Sequence, residues 1–202
     1  MTTARLEAFS DGVIAIIITI MVLELRPPET PTFSGLHEKL SDFLAYVLSF
    51  VFVGIYWNNH HHMLHASDRV TGGILWANLH LLFWLSMVPF VTAWMGHEPF
   101  EPVPAAAYGL VLLMDAVAYT ILERALIAAN GADSKVGRAL RRDTKGLLSM
   151  AIYIAAVPVA FAQPIVSYAM YVFVAMMWLV PDRRLEHDLD RPDPDRRPVR
   201  PA

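Results

Sequence analysis

Long runs of apolar residues dominate the chain, and short polar or proline-rich stretches separate them. None of the runs alternates apolar and polar positions, as the strands of a membrane barrel do. A helix that crosses a bilayer needs about 20 mostly apolar residues. We therefore predict an all-α integral membrane protein with six transmembrane helices, at residues 6–25, 43–63, 74–95, 104–129, 146–162 and 165–180.

Prolines mark several features of this pattern. Only Gln163 and Pro164 separate the last two runs, so we expect these two helices to form a tight hairpin. Pro89 and Pro158 lie inside the third and fifth runs. A proline removes one helical hydrogen bond, so both residues are candidate breaks in their helices.

The composition agrees with a membrane protein. Of the 202 residues, 55% are hydrophobic and 17% are charged, whereas soluble domains average about 45–50% and about 25%. The last 21 residues hold 12 of the 35 charged side chains. We divide the chain into a membrane domain, residues 1–181, and a disordered charged tail, residues 182–202.

The charge distribution orients the chain. With six spans, 14 of the 16 lysines and arginines fall on the side that holds both termini, and only Arg26 and Lys39 fall on the other. Cytoplasmic loops carry the excess of positive charge, so both termini are predicted to be cytoplasmic. The net charge of −3 indicates no nucleic-acid partner.

Polar side chains from the first three spans fall at one membrane depth. They are Asp11 on the first span, the cluster His60–His65 on the second, and Asn78 with His80 on the third. Unpaired groups at this depth are costly, so we expect a shared network of hydrogen bonds and ion pairs. Such a network serves only to join the helices, or it binds a metal, since His61 and His65 share a helical face.

One face of the first span has the character of an ion pathway. Gly12, Ile16, Thr19 and Leu23 recur at helical spacing, with Ile20 in a neighbouring apolar stripe. Acidic residues, Asp11 and Glu24, stand at the two ends. The pattern suits a cation pathway narrowed by apolar side chains, although a face that packs on other helices would show the same periodicity.

Motifs of other membrane proteins and of enzymes do not occur in the sequence. There is no TVGYG-type carbonyl filter and no helix with an arginine at every third position. The phosphate-binding loop and the GxSxG and HExxH patterns do not occur either. We therefore expect a protein that is not an enzyme.

The segment Arg5-Leu6-Glu7-Ala8-Phe9-Ser10-Asp11 contains an R-x-x-x-F-S-D motif. With residues 56–61, 75–79 and 89–90, it resembles the bacterial relatives of the lysosomal and endosomal potassium channel. The resemblance implies a homotetramer of six-span subunits in the bacterial inner membrane, with the first helix lining the pore. Because the motif occurs once in this chain, a single subunit cannot enclose a pore.

The resemblance also implies roles for individual residues. Ile16, Ile20 and Leu23 would form the pore constriction, and Thr19 would supply a hydroxyl. A network that holds the first helix against the second and third would comprise Arg5, Phe9, Ser10, Asp11, His60, His61, Trp76 and Asn78.

The expected function is a weakly to moderately potassium-selective cation leak channel with a hydrophobic constriction in place of a carbonyl filter. We expect no cofactor and no resident metal, and potassium as the permeant ion. The alternative is a proton- or metal-coupled secondary transporter that uses the cluster His60–His65, and it would favour broken helices near the membrane midplane.

Overall fold

The computed structural model describes residues 2–140 and 144–179. Within these ranges every regular element is an α-helix. The helices are α1 (Thr3–Leu23), α2 (Phe33–Glu38), α3 (Leu40–His65), α4 (Gly72–His97), α5 (Pro102–Asn130), α6 (Lys135–Leu140), α7 (Thr144–Ala162) and α8 (Pro164–Leu179). The predicted disordered tail, 182–202, lies outside the described residues.

The six predicted spans correspond to α1, α3, α4, α5, α7 and α8, and each end differs by at most three residues. Five of these helices are long and apolar enough to cross a membrane, while α8 has 16 residues and is shorter. The prediction of an all-α membrane protein is therefore confirmed.

Two short helices were not predicted. α2 begins after Thr32, whose side chain accepts a hydrogen bond from the backbone N–H of Gly35 at 3.1 Å. This cap satisfies one of the free donors at a helix start. Both α2 and α6 have six residues, too few for a periodic apolar pattern to show.

The prolines do not break their helices. Pro89 lies inside α4 and Pro158 inside α7, and both helices are continuous across them. Neighbouring helices in a membrane bundle compensate for the one hydrogen bond that a proline removes. The predicted hairpin is confirmed, since α7 ends at Ala162 and α8 begins at Pro164.

The two central helices are α4 and α5, which pack extensively against each other. α1 and α3 pack on α4, while α7 packs on α5 and on α8. Leu81 and Leu85 of α4 and Leu112 and Leu122 of α5 are fully buried in this core. α1 therefore lies at the edge of the subunit, with one face on α3 and α4.

Candidate functional site

The buried face of α1 attaches the helix to its subunit. Leu6, Ser10, Ile14, Ile17 and Met21 are buried, and their spacing of three or four residues places them on one side of the helix. α4 and α3 supply the surfaces against which this side packs. The opposite face of α1 is apolar as well, so the helix is not amphipathic in the usual sense of one apolar and one polar face.

The exposed face of α1 carries the three residues predicted to form the constriction and the threonine predicted to supply a hydroxyl beside them. Ile16, Ile20 and Leu23 expose 59%, 42% and 78% of their surface. Thr19 is exposed on the same side, and its hydroxyl donates a hydrogen bond to the carbonyl of Ile16 at 2.8 Å. The subunit thus presents three branched side chains and one hydroxyl oxygen away from its own core.

A groove runs between α1 and α4 beside this face. It has a volume of about 430 Å³, and Ile16, Ile20, Pro89 and Phe90 are among its apolar lining residues. Glu24 lines the groove at one end of α1. The exposed surface of α1 therefore continues onto α4 and does not end at the edge of one helix.

A buried chain of hydrogen bonds joins α1, α3 and α4. Asn78 Nδ2 donates to Ser10 Oγ at 3.0 Å, and Ser10 Oγ donates to the carbonyl of Leu6 at 2.9 Å. Asn78 Oδ1 lies 2.7 Å from His60 Nε2. Because this oxygen can only accept, His60 donates from Nε2. Ser10, His60 and Asn78 are at most 1% exposed, so the chain is shielded from solvent and lipid.

A second pair of contacts joins α1 to α3 nearer the surface. His61 Nδ1 lies 2.6 Å from a carboxylate oxygen of Glu7. Trp57 Nε1 donates to Asp11 Oδ1 at 3.0 Å. These contacts are partly exposed, so they contribute less to stability than the buried chain does.

The structure brings together five of the eight predicted network residues, namely Ser10, Asp11, His60, His61 and Asn78. Arg5, Phe9 and Trp76 lie instead on the surface of the subunit, with Phe9 50% and Trp76 76% exposed. His80, which the sequence places in the same layer, accepts a hydrogen bond from Trp84 within α4.

The histidine cluster is the candidate metal site of the alternative function. In the described part of the chain, no group of three or more His, Asp or Glu side chains lies close enough together to hold a metal ion. The rings of His61 and His65 stack, with centroids 6.0 Å apart and an angle of 18° between their planes. Parallel stacked rings do not direct their nitrogens toward a common ion.

Sequence reasoning missed a second polar region in the middle of the subunit. Ser49 Oγ lies 2.9 Å from the hydroxyl of Tyr108 and 2.7 Å from the hydroxyl of Thr92, and these hydrogen bonds link α3, α4 and α5. Asp115 of α5 is also fully buried. A signal was present, since Asp115 and Glu123 are acidic residues within the apolar run 104–129 and Asp115 lies near its middle.

The comparisons with known proteins give consistent results. The family described as the endosomal/lysosomal potassium channel TMEM175 matches residues 5–89. A potassium channel of Chryseobacterium sp. (strain P1-3) is 50% identical over 94% of this chain and 98% of its own length. A potassium channel of Streptomyces collinus is 36% identical over 59% of this chain and 62% of its own length.

A solved structure shares the fold. It is the crystal structure of a lysosomal potassium-selective channel TMEM175 homolog from Chamaesiphon minutus, which is 27% identical, with a TM-score of 0.78. The match covers 88% of this chain and 96% of that chain. The family consists of channels, so the prediction that the protein is not an enzyme is confirmed. The chain belongs to the TMEM175 family of potassium channels.

Proposed function

We propose that the chain is one subunit of a potassium-permeable leak channel in which the exposed face of α1 lines the pore. The observation that carries the proposal is the division of α1 into two faces. One face is held to α3 and α4 by the buried chain through Ser10 and Asn78. The other presents Ile16, Ile20 and Leu23 outside the subunit.

A complete pore requires several copies of α1. One helix cannot surround an ion pathway, so the subunits assemble around a central axis, as a homotetramer. The groove between α1 and α4 extends the exposed apolar surface beyond the helix itself. This surface is available for contact with a neighbouring subunit.

In the tetramer, Ile16, Ile20 and Leu23 form successive apolar rings. An ion that passes them must shed part of its water shell, and a hydrophobic constriction of this kind restricts flow by dewetting. The oxygen of Thr19 replaces some of the lost hydration. Potassium passes more readily than sodium because it loses water at a lower cost, and discrimination is weaker than in a carbonyl filter.

The membrane arrangement follows from the helices and the charges. α8 completes six crossings, although its 16 described residues are fewer than the about 20 of a typical span. Both termini then lie on the cytoplasmic side of the bacterial inner membrane, where 14 of the 16 lysines and arginines are found.

A proton- or metal-coupled transporter is the second candidate. It would use the cluster His60–His65 and would favour helices broken at the midplane. α4 and α7 are continuous through their prolines. His60 and His61 are also engaged by Asn78 and Glu7. The channel explains the exposed face of α1, whereas the transporter leaves it without a role.

The experiment is potassium flux into liposomes that contain the purified protein, with wild type compared with Ile16→Asn. A polar side chain in the constriction holds water there, so we expect Ile16→Asn to raise the flux and to reduce the preference for potassium over sodium. Reversal potentials in opposed potassium and sodium gradients measure the preference.

The matched control is Ile154→Asn on α7. Ile154 is 60% exposed, nearly the same as the 59% of Ile16, but lies on a helix remote from the proposed pore. This variant should conduct as wild type does. Wild-type vesicles without potassium flux, or equal effects of the two variants, would contradict the proposal.

A further inference from the structure

An acidic residue lies in the core of the subunit, outside the proposed pore. Asp115 is near the middle of α5, within a helix that has the length and hydropathy of a membrane span. Its side chain is 0% exposed. Neither carboxyl oxygen has a hydrogen-bond partner among the residues that the structure describes. Buried polar groups are nearly always paired, so this exception requires an explanation.

The surroundings of Asp115 are apolar apart from tyrosines. Its buried neighbours along α5 include Val111, Leu112 and Ala118. Tyr108 of α5 and Tyr153 of α7 are close enough to interact with it electrostatically. The ring of Tyr171 of α8 packs against both tyrosines at a tilt of 55° and 48°, with ring centroids 5.5 Å and 6.3 Å away.

α4 packs extensively on α5 but offers no charge to Asp115. It carries two titratable side chains, His80 and His97, and both hydrogen bond within α4 itself, to Trp84 and to the carbonyl of Ala93. The lysines and arginines of α6 and α7 do not hydrogen bond to Asp115 either, so among the described residues no cation pairs with its carboxyl group.

An isolated carboxylate in such a place is strongly unfavourable, so the group must bind a proton or a metal cation. A cation would need several oxygen ligands. In the described part of the chain, Asp115 does not belong to any group of three or more His, Asp or Glu side chains that could hold a metal ion. A proton satisfies the charge without further ligands.

A cavity large enough for water lies beside Asp115, next to Ala116. This cavity of about 40 Å³ lies between α3, α5, α7 and α8, and its lining includes Ala116, Thr120, Asn59 and Tyr153. This exceeds the roughly 15 Å³ that one water molecule requires on the same measure. Tyr153 belongs to both places, because it lines the cavity and also interacts with Asp115.

We propose that Asp115 is a proton-binding site in the core of each subunit, which exchanges its proton with water in the cavity beside Tyr153. The folded chain holds the neutral acid at neutral pH, whereas the unfolded chain releases this proton to solvent. Folding therefore takes up one proton. The folding equilibrium constant falls by about tenfold for each rise of one pH unit until Asp115 ionises in the folded protein.

The first test compares thermal unfolding of wild type and Asp115→Asn in detergent between about pH 5 and about pH 8. Asparagine has the shape of the neutral acid and does not titrate. The folding constant of Asp115→Asn relative to wild type should therefore rise by about tenfold per pH unit. Asp68→Asn, which alters an exposed carboxylate in a loop, is the control and should follow wild type.

The second test detects the proton directly. The infrared spectrum of the protein, purified with isotopically labelled aspartate, should contain the carbonyl band of a protonated carboxyl group at neutral pH. This band should be absent from Asp115→Asn and present in Asp68→Asn. If Asp115→Asn does not fold, the labelled wild-type band decides alone.

Two results would overturn the proposal. One is a labelled spectrum that shows only ionised aspartate. The other is an Asp115→Asn variant whose stability relative to wild type does not change with pH. Since the site is remote from α1, Asp115→Asn should also retain the wild-type potassium flux at neutral pH. A failure of the channel function leaves the infrared result unaffected.

Discussion

α1 and α5 have the length and hydropathy of membrane spans, but they relate to the subunit in opposite ways. Over an apolar stretch of 18 residues in each helix, 28% of the residues of α1 and 61% of the residues of α5 are buried inside the subunit. The acidic groups of α1, Glu7 and Asp11, have partners on α3. Asp115 of α5 is buried without one among the described residues.

The difference shows which part of the molecule is complete within one chain. α5 finds most of its packing surface inside the subunit, so its residues contribute strongly to the stability of the fold. α1 pairs Ser10, Glu7 and Asp11 within the subunit but leaves the branched apolar side chains of its outer face uncovered. Substitutions on α5 should therefore affect folding, and substitutions on the exposed face of α1 should affect conduction.

The largest expected effect comes from a substitution that breaks the attachment of α1 to α3 and α4. Asn78→Leu removes the partner of His60 Nε2 and one donor to Ser10, all within a buried layer. An unpaired buried donor costs about 1–3 kcal/mol, so we expect the free energy of unfolding to fall by about 3 kcal/mol. Thermal or denaturant unfolding in detergent measures the change.

Asn58→Leu is the matched control for this variant. Asn58 is an exposed asparagine on α3, so the same substitution there should change the stability by less than about 0.5 kcal/mol. Equal losses for the two variants would mean that the buried chain does not attach α1.

A smaller effect is expected from alanine at two glycines. A Cβ atom at Gly109 of α5 would lie 2.1 Å from the hydroxyl oxygen of Tyr171, which is buried and donates to the carbonyl of Ala105. Overpacking of this kind costs about 1–3 kcal/mol, so Gly109→Ala should lower the free energy of unfolding by about 2 kcal/mol.

Gly12→Ala on α1 provides the contrast. Apart from the adjoining backbone of α1, no atom of the subunit lies within 4 Å of a Cβ atom at Gly12, so the higher helix propensity of alanine should add up to about 1 kcal/mol. If Gly12→Ala destabilised the protein as much as Gly109→Ala does, the exposed face of α1 would be a packed surface and the comparison would fail.

The smallest expected effect on stability comes from valine substitutions at two threonines, one buried and one exposed. The hydroxyl of Thr92 hydrogen bonds with Ser49 and with the carbonyl of Val88 inside the subunit, whereas Thr19 lies on the exposed face of α1. Thr92→Val should lower the free energy of unfolding by about 1 kcal/mol and leave potassium flux unchanged. Thr19→Val should leave stability unchanged and reduce the flux. Unfolding and liposome flux assays on both variants check whether one variant affects only stability and the other only flux. A loss of flux in Thr92→Val alone would contradict the prediction.

The apolar pattern was sufficient to predict the membrane helices, because each span needs only a long run that is mostly apolar. The short helices α2 and α6 were missed for the same reason, since six residues contain too little periodicity. The pattern also indicated breaks at Pro89 and Pro158 that the structure does not contain, because the consequence of one lost hydrogen bond depends on the neighbouring helices.

The sequence was sufficient to predict that polar residues of the first three spans meet in one layer, but not which of these residues pair with each other. Consecutive residues of a helix point about 100° apart, so His60 and His61 face different partners, Asn78 and Glu7. Periodicity alone does not give the rotation of α3 that decides between them. Asp115 required no such geometry, because an acidic residue near the middle of an apolar run is visible in the sequence alone.

The hydrogen bond within α1 at Thr19 has a consequence for the sign of the permeating charge. Its hydroxyl proton is committed to the carbonyl of Ile16, so the hydroxyl has no proton left to donate to a passing ion. In the proposed pore, four such oxygens form a ring of partial negative charge among apolar side chains. Chloride, which requires donors, finds none at this ring, so the constriction excludes anions without a fixed charge.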